Sequence, residues 1–406
     1  MGNYEHRKAA RKIVVVNANG KKVSNQKVAF KQTNHSFLFG CNAFNVLGYL
    51  KVPDEEIKAK LKESVDLWLD LYNFGTLPFY WGGYEKEEGS PDQESLMEAA
   101  KLLKSHNVKI KGHPLCWHTG CADWLMKYDN ATILDKQLKR IDRDVTAFKG
   151  IIDMWDVINE VVIMPVFDKY DNAITRICKE MGQVPLVKAV FDEAKSMNPN
   201  ATLLLNDFNV SPAYERLIEE CLDAGVPITT IGIQSHQHQG YWGAEKVRDV
   251  LERFSRFGLP IHFTENTLIS GHIMPAHIED LNDYQIPEWP STPEGEDRQC
   301  KEMEEMYRLL FEHPSVEAIT NWDLVDGEWL GAPSGIVRRD NTPKPAYHML
   351  KKLIKEEWWT TGEQVTDENG VIEISGFKGD YELQVDGKKA SFILEDGDDV
   401  VTIQLA

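Results

Sequence analysis

The chain has 406 residues, with 45 Lys and Arg against 64 Asp and Glu, giving a formal net charge of −19. Binding to a phosphate backbone draws on a basic surface that releases counterions, so this balance disfavours nucleic acid as a partner. At 42% hydrophobic and 27% charged residues, the composition is that of a globular protein with a large core, neither disordered nor fibrous.

From the N-terminus, MGNYEHRKAARK is basic but lacks the apolar stretch of a secretory signal. The longest early apolar run is only Ile13 to Val16, and no run approaches the roughly 18 residues of a membrane span. The expectation is a soluble chain with no membrane partner, either cytoplasmic or exported with its signal removed. Oligomeric state is not legible. Six cysteines (Cys41, Cys116, Cys121, Cys178, Cys221, Cys300) contain no CxxC pair and read as free thiols.

The segment RKIVVVNANGKKVSNQKVAFKQT places β-branched runs around Asn19-Gly20, a hairpin signal, and predicts two strands. The C-terminal segment repeats that grammar, with Asn369-Gly370, Asp386-Gly387 and Asp396-Gly397 between strands of period two. Two strands alone bury no face, so residues 11–36 and 363–406 are expected to pair as one small β-sandwich module. Its aromatic residues Phe377, Tyr381 and Phe392 form no obvious sugar platform, and bracing is its expected role.

Residues 37–358 alternate short apolar runs with amphipathic segments, the pattern of repeated βα units. Predicted strands are 37–42, 72–76, 109–113, 154–158, 202–206, 229–234, 261–265 and 318–322. Predicted helices are 55–71, 93–106, 133–148, 186–197, 214–224, 244–257 and 297–312. An open doubly wound sheet would show the same alternation, but no GxGxxG or Walker-type loop follows any strand. The expected fold is therefore α/β, a (β/α)8 TIM barrel with the β-sandwich module built from both chain ends.

Barrel active sites lie at the C-terminal ends of strands, and these ends are polar and aromatic. They read GHPLCWH (112–118), WDVINEV (155–161), LNDFN (205–209), GIQSHQH (232–238), HFTEN (262–266) and NWDLVDGEW (321–329). Glu160 and Glu265 each fall one step beyond an apolar run. Paired carboxylates flanked by Trp, His and Asn form the toolkit for glycosidic bond cleavage, one acid and one nucleophile with rings for sugars to stack on. One of the pair should then be protonated near neutrality and the other ionised. The spacing of His113 and His118, on a strand end and a loop, is not that of a zinc site; no metal or other cofactor is expected.

These residues carry a resemblance. Residues 37–358 look like a glycoside hydrolase family 10 catalytic domain, the endo-β-1,4-xylanase family. GHPLCWH stands for the family's GHTLVWH, WDVINE for WDVVNE and IQSH for its QSH, and PKPAY (343–347) precedes the last helix. The resemblance implies a (β/α)8 barrel and a retaining mechanism, with Glu160 as general acid/base and Glu265 as nucleophile. It places Asn159 at the sugar 2-hydroxyl and His236 against Glu265. Gln234, His113, Trp117, His118, Trp322 and Trp329 would wall the −1 sugar site.

There are also departures. Where family members grip the −2 sugar with a run like ENEMKWD, this chain reads Thr76-Leu77-Pro78-Phe79-Tyr80-Trp81, in which Leu77, Pro78 and Tyr80 offer at most one hydroxyl and a stacking face. TELD becomes Thr264-Glu265-Asn266-Thr267, and the strand-eight Trp-Gly becomes Trp322-Asp323. The expected function is double-displacement hydrolysis of β-1,4-linked xylan or xylo-oligosaccharides, with a polysaccharide or oligosaccharide as the partner. Alternatives are the same chemistry on another β-linked glycan or short glycoside, or a catalytically silent carbohydrate-binding protein.

Overall fold

Eight short apolar runs form a closed sheet in the computed structural model, which describes residues 2–397 and 399–405. Barrel strands one to eight are Leu38–Asn42, Phe74–Pro78, Lys109–His113, Met154–Asn159, Thr202–Asp207, Thr230–Ile233, Ile261–Leu268 and Val316–Asn321. Each is hydrogen-bonded to the next, and strand eight pairs with both strand seven and strand one, so no edge is left. Both faces of such strands are covered, which is why they read as near-continuous apolar runs. This is a (β/α)8 TIM barrel. Beyond strand six, His236–Gln237 pairs with Thr267–Leu268 and extends the sheet towards the site.

The covering helices include Glu55–Leu71, Gln93–Ser105, Asn130–Phe148, Gln183–Met197, Pro212–Asp223, Gly243–Ser255 and Pro293–Glu312. Several begin earlier than periodicity predicts, because cap and proline chemistry starts a helix before its apolar stripe does. Asp129 caps Thr132, while Ser211 and Thr292 cap helices whose first turns hold Pro212 and Pro293. Phe44–Lys51 and Ala173–Met181 were not anticipated, since at eight or nine residues they span too few turns to show a period, while the helix expected after PKPAY is Pro345–Lys352 and begins within that run. Among the described residues, no helix is long and apolar enough to cross a membrane.

The chain divides into two compact units, one from Gly40 to Ala346 and one containing both ends, up to Phe39 and from Tyr347. In the latter, Lys8–Val16 pairs antiparallel with Val371–Phe377 and parallel with Val401–Gln404. Lys27–His35 pairs with Thr361–Val365 and with Gly379–Val385, which continues to Lys388–Leu394. The resulting three- and four-stranded sheets contribute to one apolar cluster that includes Ile13, Val15, Val28, Ile374, Tyr381 and Leu394.

Two devices hold the ends of strands two and three. The buried Arg140 guanidinium donates to the carbonyls of Phe79, Pro114 and Leu115, and Gln137 Nε2 donates to Leu115 at 3.0 Å. Burying a guanidinium is tolerable here because both Nη atoms donate to carbonyls and the Asp144 carboxylate lies 3.4 Å from Nε. The second device is Gly112, where a Cβ would fall 2.2 Å from the Trp155 ring.

Gly112→Ala should therefore destabilise the protein by about 1–3 kcal/mol, the range for overpacking a filled core. Urea unfolding should show a lower midpoint, and an unchanged midpoint would mean that Trp155 yields freely.

Candidate active site

Strand four ends at Asn159, and the next residue, Glu160, has φ +57°. A non-glycine residue there costs on the order of 1–3 kcal/mol, so surrounding structure must impose it. The Glu160 amide donates to the Asn206 carbonyl at 2.9 Å, tying this turn to strand five. Glu265 lies within strand seven, and its amide donates to the Gln234 carbonyl at 3.0 Å.

The two carboxyl groups are joined by side-chain amides. Gln234 Nε2 donates to Glu160 Oε1 at 3.0 Å and to Asn159 Oδ1 at 3.1 Å. Asn206 Nδ2 donates to the same Asn159 oxygen and to Glu265 Oε1, both at 2.9 Å. Asn206 Oδ1 in turn accepts from Thr264 Oγ1 at 2.8 Å, which fixes the orientation of that amide. Trp117 Nε1 donates to Glu160 Oε2 at 2.9 Å, and His236 Nε2 lies 3.1 Å from Glu265 Oε2. A carboxylate only accepts, so His236 carries its hydrogen on Nε2.

The environments drive the two acids apart. Burial is the main cause that pushes Glu160 up to about 8; Asp207 and Glu265 add to it, against hydrogen bonds from Gln234 and Trp117. Asp207 is itself raised to about 7 by burial, although the amides of Asn209 and Val162 donate to it. At Glu265 burial also opposes ionisation, but His113, the His236 hydrogen bond and Lys111 outweigh it and hold the carboxyl below its ordinary range.

Under Glu265 lies a buried charge relay of position, with Lys111 Nζ 2.7 Å from Asp156 Oδ2 and His113 Nδ1 at 2.7 Å from the same oxygen. His113 Nδ1 is also 4.0 Å from Glu265 Oε1. Donor atoms of His113, Asp156 and Glu265 fall within 4.8 Å of one another, a spacing that admits a cation. The Lys111 ammonium already supplies that charge, and a metal ion beside it would be repelled. The donor set therefore fits the lysine and not a metal.

All the wall residues expected from sequence converge. Tyr80 stacks obliquely on Trp117 at 5.7 Å and edge-on to His113 at 5.6 Å; Trp322 meets His113 at 5.4 Å and His236 at 6.1 Å. Trp329 lies 4.5 Å from His236, and His118 Nε2 is 4.0 Å from Glu160 Oε2. Burial lowers His118 to about 4, leaving it neutral. Phe44, which meets Trp322 at 5.6 Å, was not anticipated, and neither were Asn206, Asp207, Lys111 and Asp156 as site residues. The signal for these four was a polar side chain inside or ending an apolar strand, as in LLLND and KIKGH.

The departures also have structural accounts. Leu77 and Phe79 are buried, Phe79 against Trp155 at 4.9 Å, so the strand-two run serves the core except at Tyr80. Asp323 is buried, accepts from the Ser334 hydroxyl, and is pushed well up by burial and by Glu328. Within PKPAY, buried Lys344 donates to Asp326 at 2.6 Å and to Ser270 and Gly335 at 2.7 Å, pinning the strand-eight loop.

Residues 79–353 match the sequence model described as glycosyl hydrolase family 10. Endo-1,4-beta-xylanase B of Paenibacillus barcinonensis is 27% identical over 252 residues, covering 58% of this chain and 72% of that protein. Anti-sigma-I factor RsgI6 of Acetivibrio thermocellus is 24% identical over 389 residues, 94% of this chain; the chain spans only 45% of that relative's length. Among solved structures, GH10 from Paenibacillus barcinonensis superposes with a TM-score of 0.65 at 21% identity, covering 79% of this chain and 95% of that one. Xylanase 10B from Thermotoga maritima gives 0.63 at 21% identity, covering 79% and 96%. At such identities the structural likeness establishes the barrel.

Asp207→Asn removes a like charge that holds the proton on Glu160. If Glu160 must be protonated to act, the alkaline limb of kcat/KM should move to lower pH, by up to about one unit. A limb that stays in place or moves upward would separate Asp207 from Glu160.

Proposed function

The chain belongs to glycosyl hydrolase family 10, and on that premise we propose that it is a retaining glycoside hydrolase acting on β-1,4-linked xylan or xylo-oligosaccharides. The observation that carries this reading is the opposite protonation of two carboxyl groups held in one amide network, Glu160 near 8 and Glu265 below the usual carboxylate range.

In this reading Glu160 gives its proton to the glycosidic oxygen while ionised Glu265 attacks the anomeric carbon, forming a glycosyl-enzyme and releasing the aglycone. Esterification cancels the charge of Glu265, and with it the repulsion that helped keep Glu160 protonated. Glu160 then ionises more readily, as it must to take a proton from the water that displaces the sugar. His236 and Asn206 hold the two oxygens of Glu265 and orient it. Asn159 Oδ1 accepts from both amides, and its Nδ2 makes no hydrogen bond among the described residues, leaving a donor for the sugar 2-hydroxyl. Tyr80, Trp117, Trp322 and Trp329, with His113, His118 and Gln234, bound the sugar.

A second substrate reading, another β-linked glycan or a short glycoside, is favoured by the apolar strand-two run, where Leu77 and Phe79 turn into the core. Residues 37–358 carry the chemistry in this proposal, and the β-sandwich of residues 11–36 and 363–406 takes no part in it.

Glu160→Ala and Glu265→Ala should each abolish hydrolysis of a natural glycan. On an aryl glycoside, whose leaving group needs little protonation, azide should rescue the Glu160 variant with retention and the Glu265 variant only with inversion. Proton NMR of the wild-type reaction should show the β anomer first. An α anomer first, or full activity in either variant, would overturn the double displacement.

A further inference from the structure

Round the barrel mouth, six rings follow one another without a break. Trp117 meets Tyr80 at 5.7 Å, Tyr80 meets Phe44 at 6.0 Å, and Phe44 meets Trp322 at 5.6 Å. Trp322 then meets His236 at 6.1 Å, and His236 meets Trp329 at 4.5 Å. Rings at such centroid distances touch, so no sugar passes between neighbours. Phe44, Tyr80, Trp117 and Trp322 stand just beyond strands one, two, three and eight, which are consecutive in the closed barrel. The wall is anchored on both glutamates, with Trp117 donating to Glu160 and His236 to Glu265.

The other arc of the mouth, strands five and six, is occupied by Asn206 and Gln234, whose amides join the two carboxyls. A sugar with its anomeric carbon between Glu160 and Glu265 therefore lies on the aromatic side, and its far end faces the wall. Polar groups behind the wall are spent. Asn42 Nδ2 donates to the Trp322 carbonyl, tying strand one to strand eight, and Asn45 Nδ2 donates to Ser64 Oγ at 3.3 Å. Thr76, Leu77, Phe79 and Trp81 are buried, so the strand-two run offers no accessible polar group other than the Tyr80 hydroxyl. The backbone before Tyr80 is fixed, since the Phe79 amide donates to the His113 carbonyl at 2.6 Å and the Phe79 carbonyl accepts from Arg140. The Tyr80 hydroxyl itself makes no hydrogen bond among the described residues. Burial and then the charges of Glu265 and Glu160 keep its proton on, which places the phenol in the field of both carboxyls.

We infer that this wall ends the site after a single sugar, so that the enzyme removes one residue at a time from the non-reducing end of a short chain, with the Tyr80 hydroxyl holding that terminal sugar. The inference rests on the hydrolase reading and narrows it, because the sugar that bears the scissile bond is then the last of its chain. It also sets this chain apart from the endo-1,4-beta-xylanase that it resembles.

The test is a time course on xylopentaose tagged at its reducing end. The first products should be untagged xylose and tagged xylotetraose, with shorter tagged chains following only in sequence. Phe44→Ala and Tyr80→Ala should each open the wall, so that untagged xylobiose joins the first products. Tyr80→Phe should lower the wild-type rate about fivefold, the scale of one neutral hydrogen bond; an unchanged rate would overturn the hydroxyl contact. Tagged xylotriose or xylobiose among the first wild-type products, or stepwise release that survives both alanine variants, would overturn the single-sugar pocket while the hydrolase reading stands. Inertness of the tagged chain would overturn hydrolysis of xylo-oligosaccharides and the pocket with it.

Discussion

Two side-chain amides, Gln234 and Asn206, spend all four of their N–H groups on three acceptors: the carboxyls of Glu160 and Glu265 and the single oxygen of Asn159. Leaving one of these buried acceptors unpaired would cost about 1–3 kcal/mol, so the network selects one rotamer for each member. It joins strands four, five, six and seven at their C-terminal ends, where the barrel lets residues 47 to 75 positions apart in the chain bond directly. The positive φ of Glu160 is tolerable because its amide and carboxyl are both held within that frame.

Charge is distributed around the frame asymmetrically. Lys111, Asp156 and His113 lie on the Glu265 side and Asp207 on the Glu160 side, so two glutamates of the same chemistry have opposite protonation at one pH. Burial alone would raise both. The buried cation and histidines lower only one, which is the separation of acid from nucleophile that glycoside cleavage requires.

Much of this was legible in the sequence for a physical reason. A parallel barrel strand is apolar until its C-terminal end, so the polar residues that stop each run mark the site; Glu160 and Glu265 were read that way, whereas Gln234 and His236 came from the family resemblance. Asn206 and Asp207 end a run in the same manner, yet a chain position does not reveal that Asn206 bonds Asn159 and Glu265 at once. Lys111 and Asp156 were missed because each is a charge inside a strand, and their pairing across the strand three and strand four interface, with His113 on the same Asp156 oxygen, is visible only in the fold. The short helices Phe44–Lys51 and Ala173–Met181 escaped periodicity, and with the first went Phe44 as a wall residue.

The central claim is that one fold holds its two site glutamates in opposite protonation states. Carbon-13 NMR titration of side-chain carboxyls in glutamate-labelled protein measures this directly, with Glu160→Gln and Glu265→Gln assigning the two signals. The Glu160 carboxyl should titrate near 8 and the Glu265 carboxyl below the ordinary glutamate value of about 4.3. Two carboxyls titrating together in the ordinary range would contradict it.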